Sequence, residues 1–398
     1  MNLAGQASTF VDEQGVMRWT ETNQEVCIFG TNYSEPFSSW RAHEQLGMRH
    51  EDVIDADIYH IARMGLDGYR IHVWDAYISD SAGNLLFNKH LQLLDYILYK
   101  LKERNIKILL TPMNYYDGLP HGFIYKYGGK KGCLTDTASF PVQENYLAQF
   151  VSHINPYTGI AYKDDPDIIA FEIVNEPFNH ADRPDLTREF IDRMVNAIRR
   201  TGCRQPLFYN VTHNVDQLDN FCAEDIQGGT FQWYPTSLVH NHDIKGNILL
   251  NVDDYPIPFN DHPRFKHMAK ALYEFSPADV GNSSHIYPAM ARSFRKAGFQ
   301  FAAQFNYDPL GVASTNVEWK THYLTLPYAP KKSIGMLIAS EIFHRIPRGT
   351  DYGIYPDNTS FDVFRISHEE SLAEMVSEKK FLYTHHTATI PPEPEVHL

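Results

Sequence analysis

The sequence is short of cysteine, of positive charge and of long apolar runs, and each shortage removes a class of protein. Four cysteines in 398 residues, Cys27, Cys133, Cys203 and Cys222, form no C-x-x-C pair and no tight cluster. Neither a zinc knuckle nor a disulfide framework is indicated. Lys and Arg number 35 against 49 Asp and Glu, a formal net charge of −14. Such a balance argues against duplex nucleic acid as a partner, because neutralising phosphates needs a basic face. No run approaches the ~18 consecutive apolar residues of a membrane span, and Met1 to Phe10 has neither the charged nor the apolar region of a signal peptide. The expectation is therefore a soluble chain with no membrane partner. Its compartment stays open, secreted or periplasmic if an export signal lies outside this chain.

Several chemical signatures are also missing. No G-x-G-x-x-G follows an apolar run, so a dinucleotide site at a switch point is not indicated. There is no G-x-S-x-G elbow for a serine hydrolase. Twenty histidines include no H-E-x-x-H, and His240-x-His242 is too short a motif to mark a metal, so no metal is expected. Tyr127–Gly132 (YGGKKG) lacks the spacing of a phosphate-binding loop and reads as a solvated loop over a cleft.

What is abundant is aromatic: 24 Phe, 24 Tyr and 5 Trp, 13% of the chain. Rings at that density either fill a generous core or offer flat faces to a ligand. With 43% hydrophobic and 21% charged residues the chain is otherwise ordinary globular material.

Eight short β-rich apolar runs alternate with amphipathic stretches. The runs are Val26–Asn32, Gly68–Val73, Ile106–Pro112, Ile168–Val174, Leu207–Val211, Gly229–Trp233, Ala271–Phe275 and Phe299–Phe305. Between them, Asp52–Met64, Leu91–Glu103, Leu186–Arg200 and Ser284–Lys296 carry apolar residues at helical spacing, and Ile334–His344 reads as a closing helix. Eight strands with crossover helices predict an α/β fold of the (β/α)₈ barrel type. The barrel is expected over residues 1–346. Residues 347–398 read as a small C-terminal extension, either a β appendage with strands at Phe361–Ile366 and Phe381–Tyr383 or a linker to a domain outside this chain.

Catalytic groups of such barrels lie where strands end. Run two ends with Arg70, His72, Trp74 and Asp75; run three with Asn114, Tyr115, Tyr116 and Asp117; run four with Asn175 and Glu176. Run five leads to His213 and Asn214, run six to Trp233 and Tyr234, run seven to Glu274, and run eight to Asn306, Tyr307 and Asp308. Polar and aromatic residues alternating around one rim suit a carbohydrate, whose rings stack on flat faces and whose hydroxyls need partners. Glu35, Phe37 and Trp40, after run one, either line the edge of that cleft or pack. Glu176 and Glu274 each end a strongly apolar strand. Two carboxyls pushed in opposite directions by burial and by neighbouring donors supply a general acid and a nucleophile, the division of labour that glycoside hydrolysis requires.

The segment Asn155–Pro177 (NPYTGIAYKDDPDIIAFEIVNEP) resembles the fourth-strand region of clan A glycoside hydrolases. The resemblance implies that Glu176, in Asn-Glu-Pro, is the acid/base, and that Glu274, in YEF, matches the strand-seven nucleophile. Arg70 in YRIHVW and Tyr234 in QWYP then resemble the residues that support the nucleophile. Asn175 would bind the sugar 2-hydroxyl, and His213 would line the site. Trp74, Asn114, Tyr115, Trp233, Asn306 and Tyr307 complete the expected substrate-binding set. Met113–Gly118 (MNYYDG) is similar to the third-strand loop of β-mannanases, within the cellulase and mannanase families. The implied activity is retaining hydrolysis of a β-linked oligo- or polysaccharide, mannan-like, without a cofactor. An exo-acting β-galactosidase or β-glucosidase, or a carbohydrate-binding protein without turnover, stands as the alternative. Asn306-Tyr307 departs from the stacking Trp found in many relatives at strand eight. Asn114 replaces the third-strand His of many cellulases.

Overall fold

A computed structural model describes residues 7–391 apart from 116–118, 178–182, 212–216, 222–224, 238–242, 254–256, 258, 282–283 and 316–323. Fourteen strands occur among the described residues. A hairpin of β1 (Thr9–Val11) and β2 (Met17–Trp19) comes first. Then follow β3 (Ile28–Asn32), β4 (Gly68–His72), β5 (Lys107–Thr111), β6 (Ile168–Glu172), β7 (Leu207–Asn210), β8 (Gly228–Trp233), β9 (Ala269–Phe275) and β10 (Phe301–Gln304). These eight pair in parallel and in chain order, and β10 closes back on β3, so the molecule is the (β/α)₈ barrel that the alternation of runs predicts.

Each crossover buries one stripe of a helix. Ile54, Ile58 and Ile61 lie on the helix His50–Arg63, and Leu91, Leu94, Leu98 and Leu101 on Lys89–Glu103, all facing the sheet at three- and four-residue spacing. Asn88 caps the second of these by accepting from the N–H groups of His90 and Leu91. The apolar residues divide into two clusters. The larger fills the ring between barrel and helices, and the smaller, including Ile28, Leu109, Ile169, Phe208, Ala271 and Phe301, fills the barrel's lower interior. The N-terminal hairpin plugs that lower end: Thr9 Oγ1 donates to the Ile169 carbonyl at 2.6 Å, and the Met17 N–H donates to Gln300 Oε1 at 2.8 Å. Its three-residue strands are too short to stand out as a period-two pattern in the sequence.

After the helix Pro330–Arg345, the chain forms an antiparallel sheet of β11 (Ser360–Phe361), β12 (Phe364–Ser367), β13 (Leu372–Val376) and β14 (Phe381–Tyr383). Two details differ from the sequence reading. Phe361–Ile366 is two strands folded at Asp362, which has φ +47°, and β13 adds a strand between the two expected ones, within the acidic stretch Ser367–Lys380. The physical reason is Glu374, whose carboxylate is neutralised across the ladder by Arg365 at 2.7 Å and accepts from Thr387 and Thr389, so it tolerates burial within a strand. Phe361, Phe364, Ile366, Ala373 and Met375 join the main apolar cluster, and Arg345 pairs with Asp362, so the sheet is docked on the barrel.

Candidate active site

Above the apolar layer, the upper interior of the barrel is polar. Arg70 stands at its centre on β4, fully buried. Its Nε donates to Glu172 at 3.0 Å, Nη1 to Asn32 Oδ1 at 3.2 Å and to Glu274 at 3.4 Å, and Nη2 to Asn175 Oδ1 at 2.7 Å. The ring of Tyr273 lies 4.7 Å from its guanidinium carbon. Arg70 thus ties together strands one, two, four and seven of the barrel.

Glu274 is buried at the end of β9 and accepts from the Tyr234 hydroxyl at 2.9 Å as well as from Arg70. Glu176 is half-buried beyond β6, and its Oε1 accepts from the Tyr273 hydroxyl at 2.9 Å. Its backbone sits at φ +43°, a region costly for a residue with a Cβ by ~1–3 kcal/mol and concentrated at functional sites. Lys130 Nζ donates to the Glu176 carbonyl at 2.9 Å. Tyr127–Gly132, read from sequence as a solvated loop over a cleft, instead runs into the short helix Gly129–Thr135, whose Lys130 reaches the site.

Tyr273 and Glu274 are sequence neighbours yet both point into the barrel. A strand normally sends adjacent side chains to opposite faces. Here the register of β9 against β8 and β10 slips by one between Leu272 and Glu274, a bulge that turns both inward. Asn32 Nδ2 holds the kinked backbone by donating to the Tyr273 carbonyl at 2.7 Å.

The electrostatics follow from the count of charges around Arg70. Glu172, wholly buried, takes Arg70's strongest pair and also accepts from Thr111, Asn210 and Thr230. Glu274 is left with the same cation at longer range. Burial first, and the neighbouring Glu176 carboxylate second, push Glu274 up to about 8, against the pull of Arg70 and the Tyr234 hydroxyl. The two carboxyls repel, so Glu274 does not ionise independently of its neighbour. The two carboxyls are unequally supported. Glu274 has a cationic and a phenolic donor, whereas Glu176, among the described residues, has a phenolic donor alone, so a negative charge at Glu274 has the stronger support.

Other residues expected at the rim divide. Asn175 and Asn114 meet, Nδ2 of the first donating to Oδ1 of the second at 2.9 Å, and Asp75 holds the third-strand loop by accepting from the N–H groups of Asn114 and Tyr115. Trp74 is half-buried, stacked 5.9 Å from Tyr77 and 6.3 Å from Phe37, and Asn306 is half-buried with Oδ1 lacking a protein partner. Three aromatics expected to face a ligand pack into the core instead. Tyr115 is buried with its hydroxyl on Gln143, and Tyr307 is buried edge-on to Tyr33 with its hydroxyl towards His60. Trp233 lies against Phe294 of the outer helix Ile286–Ala297, at 5.0 Å. Its direction follows from strand alternation: Thr230 reaches Glu172 and Tyr234 reaches Glu274 inside the barrel, so Trp233 must point out. Glu35 and Phe37 are buried as well, and Trp40 is half-buried. His213, with Asn214, Tyr116 and Asp117, lies outside the described residues. Sequence reasoning missed Glu172, Tyr273, Asn32, Asn210 and Lys130. Of these, Glu172 carries a signal, being an acid inside an otherwise apolar strand.

No family model matches the chain. A stretch of 118 residues is 30% identical to mannan endo-1,4-beta-mannosidase 8 of Oryza sativa subsp. japonica, spanning 27% of this chain and 32% of that protein. Another of 174 residues is 25% identical to probable mannan endo-1,4-beta-mannosidase A-1 of Aspergillus terreus, spanning 38% of this chain and 43% of that protein. The matched segments cover less than half the length of these curated relatives. Among solved structures, the endo-1,4-beta-mannanase of Rhizomucor miehei superimposes with a TM-score of 0.62 at 15% identity, over 85% of this chain and 100% of that one. The endo-beta-1,4-mannanase of Thermotoga petrophila gives 0.61 at 16% identity, over 81% of this chain and 78% of that one. At such identities the likeness is one of fold.

Proposed function

We propose that the chain is a retaining β-glycoside hydrolase acting on a β-linked mannan-type glycan, with Glu274 as nucleophile and Glu176 as acid/base. The observation that carries this reading is the unequal support of two carboxyls in one electrostatic unit: Glu274 on Arg70 and Tyr234, Glu176 on Tyr273. In the first step Glu274 attacks the anomeric carbon while Glu176 protonates the departing oxygen; in the second Glu176 takes a proton from water, which displaces Glu274. Configuration is inverted twice and so retained. Asn175, held by Arg70 and Asn114, is placed to bond the 2-hydroxyl, and the free Oδ1 of Asn306 is an acceptor for another hydroxyl.

The mannan preference draws on the printed names of the relatives above and on MNYYDG. A polymeric substrate does not cross membranes, so the reading puts the working protein outside the cytoplasm. Residues 1–346 would form the catalytic unit and 347–398 its appendage. Among the described residues, no helix is long and apolar enough to cross a membrane.

The test is azide rescue on an activated aryl β-mannoside together with a polysaccharide panel. Glu274→Ala with azide should yield the α-glycosyl azide and Glu176→Ala the β-anomer, and wild type should release a β-product first, read by NMR. A first product of α-configuration, or wild-type turnover no greater than that of Glu274→Ala across the panel, would refute the assignment.

A further inference from the structure

Outside the catalytic residues, one cluster in the loop after β3 is unexplained by anything above. Glu35 follows that strand, His43 lies on the helix Trp40–Gln45, and His50 opens the helix His50–Arg63. They are 1%, 0% and 5% exposed, and a ligand atom from each lies within 4.8 Å of the others. Glu35 Oε1, both ring nitrogens of His43 and Nδ1 of His50 are buried with no hydrogen-bond partner. The nearest approach within the cluster is His43 Nδ1 to Glu35 Oε2, at 3.6 Å. Buried polar atoms are nearly always satisfied, and unsatisfied atoms from three residues, one from each within 4.8 Å of the others, call for an occupant.

The chemistry of the donors says which. Among the described residues no Lys or Arg pairs with Glu35, and the carboxyl of Asp57, nearby, is already occupied by the Tyr33 hydroxyl at 2.7 Å and the Leu310 N–H at 2.8 Å. A buried carboxylate whose nearest counter-charge is an imidazole at 3.6 Å, beyond hydrogen-bond range, is poorly compensated. His50 meets Glu44 Oε1 through Nε2 at 3.2 Å, an arrangement that puts the ring proton on Nε2 and leaves a lone pair on Nδ1, directed inward. A carboxylate behind a histidine in this way is the usual outer support of a metal-binding imidazole. Trp40 stacks on the same ring at 4.2 Å and fixes its plane. On the other side Gly311 abuts His43, where a Cβ would fall 3.0 Å from Nε2 and 2.6 Å from Met48 Sδ, so the pocket wall is close-packed.

We propose that Glu35, His43 and His50 bind one divalent transition-metal ion, zinc by ligand type, which pins the loop after the first barrel strand to the helices beside it. Two imidazoles and a carboxylate are a zinc set. Tetrahedral zinc with bonds of ~2.1 Å needs ligand atoms ~3.4 Å apart, so the cluster closes by about an ångström or less per ligand when it binds. Three protein ligands leave the fourth position to water, and full burial keeps the ion from substrate, so the role is structural. The loop begins at Tyr33, one residue past Asn32, which holds Arg70 and the Tyr273 carbonyl, so the ion would stiffen the base of the site without touching substrate.

The experiment uses the full chain without a histidine tag, stripped with chelator and titrated with zinc chloride by calorimetry and elemental analysis, with cobalt as a spectroscopic substitute. One zinc per chain is expected, together with a rise in Tm and a visible cobalt band of tetrahedral intensity. His50→Gln and His43→Gln should abolish stoichiometric binding, and Glu44→Gln should weaken it by ~10–100-fold. If His43→Gln does not fold, His50→Gln and the wild-type cobalt spectrum decide. Failure of the wild type to take up one equivalent, or undiminished uptake by His50→Gln, overturns the proposal.

Discussion

Replacing Glu172 with Gln tests the electrostatic reading of the site more sharply than replacing a residue that would touch substrate. The carboxylate is wholly buried, and its two oxygens accept from Arg70, Thr111, Asn210 and Thr230. A glutamine keeps the shape, and where its amide replaces Oε1 the Thr230 hydroxyl can turn to accept from it and the Asn210 amide can flip to present its oxygen. What cannot be recovered is the charge. Arg70 is then a buried cation whose remaining anion is Glu274, at 3.4 Å. Removing one partner of a buried pair costs ~3–5 kcal/mol. For 398 residues, an unfolding entropy of ~2.1 cal/mol/K per residue amounts to ~0.8 kcal/mol/K, so Tm should fall by ~4–6 °C in calorimetry. Kinetics supply a second readout. The Glu172 charge helps to push Glu274 up, so its loss lets Glu274 ionise more readily and moves the acid limb of kcat/KM against pH to lower pH. Mere loosening of the barrel would lower activity without that displacement. A Tm within ~1 °C of wild type, or an acid limb that stays put or moves up, refutes the reasoning.

Tyr234→Phe removes a donor to the ionised form of Glu274, so the same acid limb should move the opposite way, to higher pH, with kcat/KM down by ~10–100-fold at its optimum. Trp233→Ala should behave as a core truncation, lowering stability by ~3–5 kcal/mol in denaturant titration while KM of the folded enzyme stays within about twofold; a large rise in KM with unchanged stability would return Trp233 to the cleft. Burial raises Asp75 to about 6 and Asp308 to about 7, above their unfolded values. The native state therefore holds more protons than the unfolded chain between pH ~4 and ~7, and stability contributed by these groups, complete below that window, is lost as pH rises through it. Tm should be higher at pH ~5 than at pH ~7.5, and the reverse order would contradict the assignment.

How much was legible depended on whether a residue's role is local or collective. The eight barrel strands and their helices announce themselves because an apolar run and a helical stripe are properties of neighbours in sequence, and Arg70, Asn175, Glu176, Tyr234 and Glu274 stand at strand ends where a barrel exposes them. Trp233 was misjudged although strand alternation alone, given Tyr234 inside, turns it outward. Tyr115 and Tyr307 were not decidable in that way, since both lie in loops whose backbone, at φ +53° for Tyr115, follows no period. Tyr273 was hidden by the bulge, which breaks the alternation that would have put it outside. The cluster of Glu35, His43 and His50 has no motif spacing at all; two helices and a loop have to fold before the three meet.

The bulge and the third carboxylate belong to one physical problem. On the proposed assignment a nucleophile and an acid must stand close enough to act on one glycosidic bond, yet two carboxylates that close repel. In that proposal Glu274 is the member that must be ionised to attack. Arg70 could hold Glu274 ionised outright, and if it did so alone it would also weaken the nucleophile by over-stabilising its charge. Glu172 divides that cation's attraction, leaving Glu274 with the weaker share. The inward turn of Tyr273 gives Glu176 a neutral donor in place of a cationic one. On that reading three acids, one arginine and two tyrosines converge where two acids would satisfy the stoichiometry of the proposed reaction.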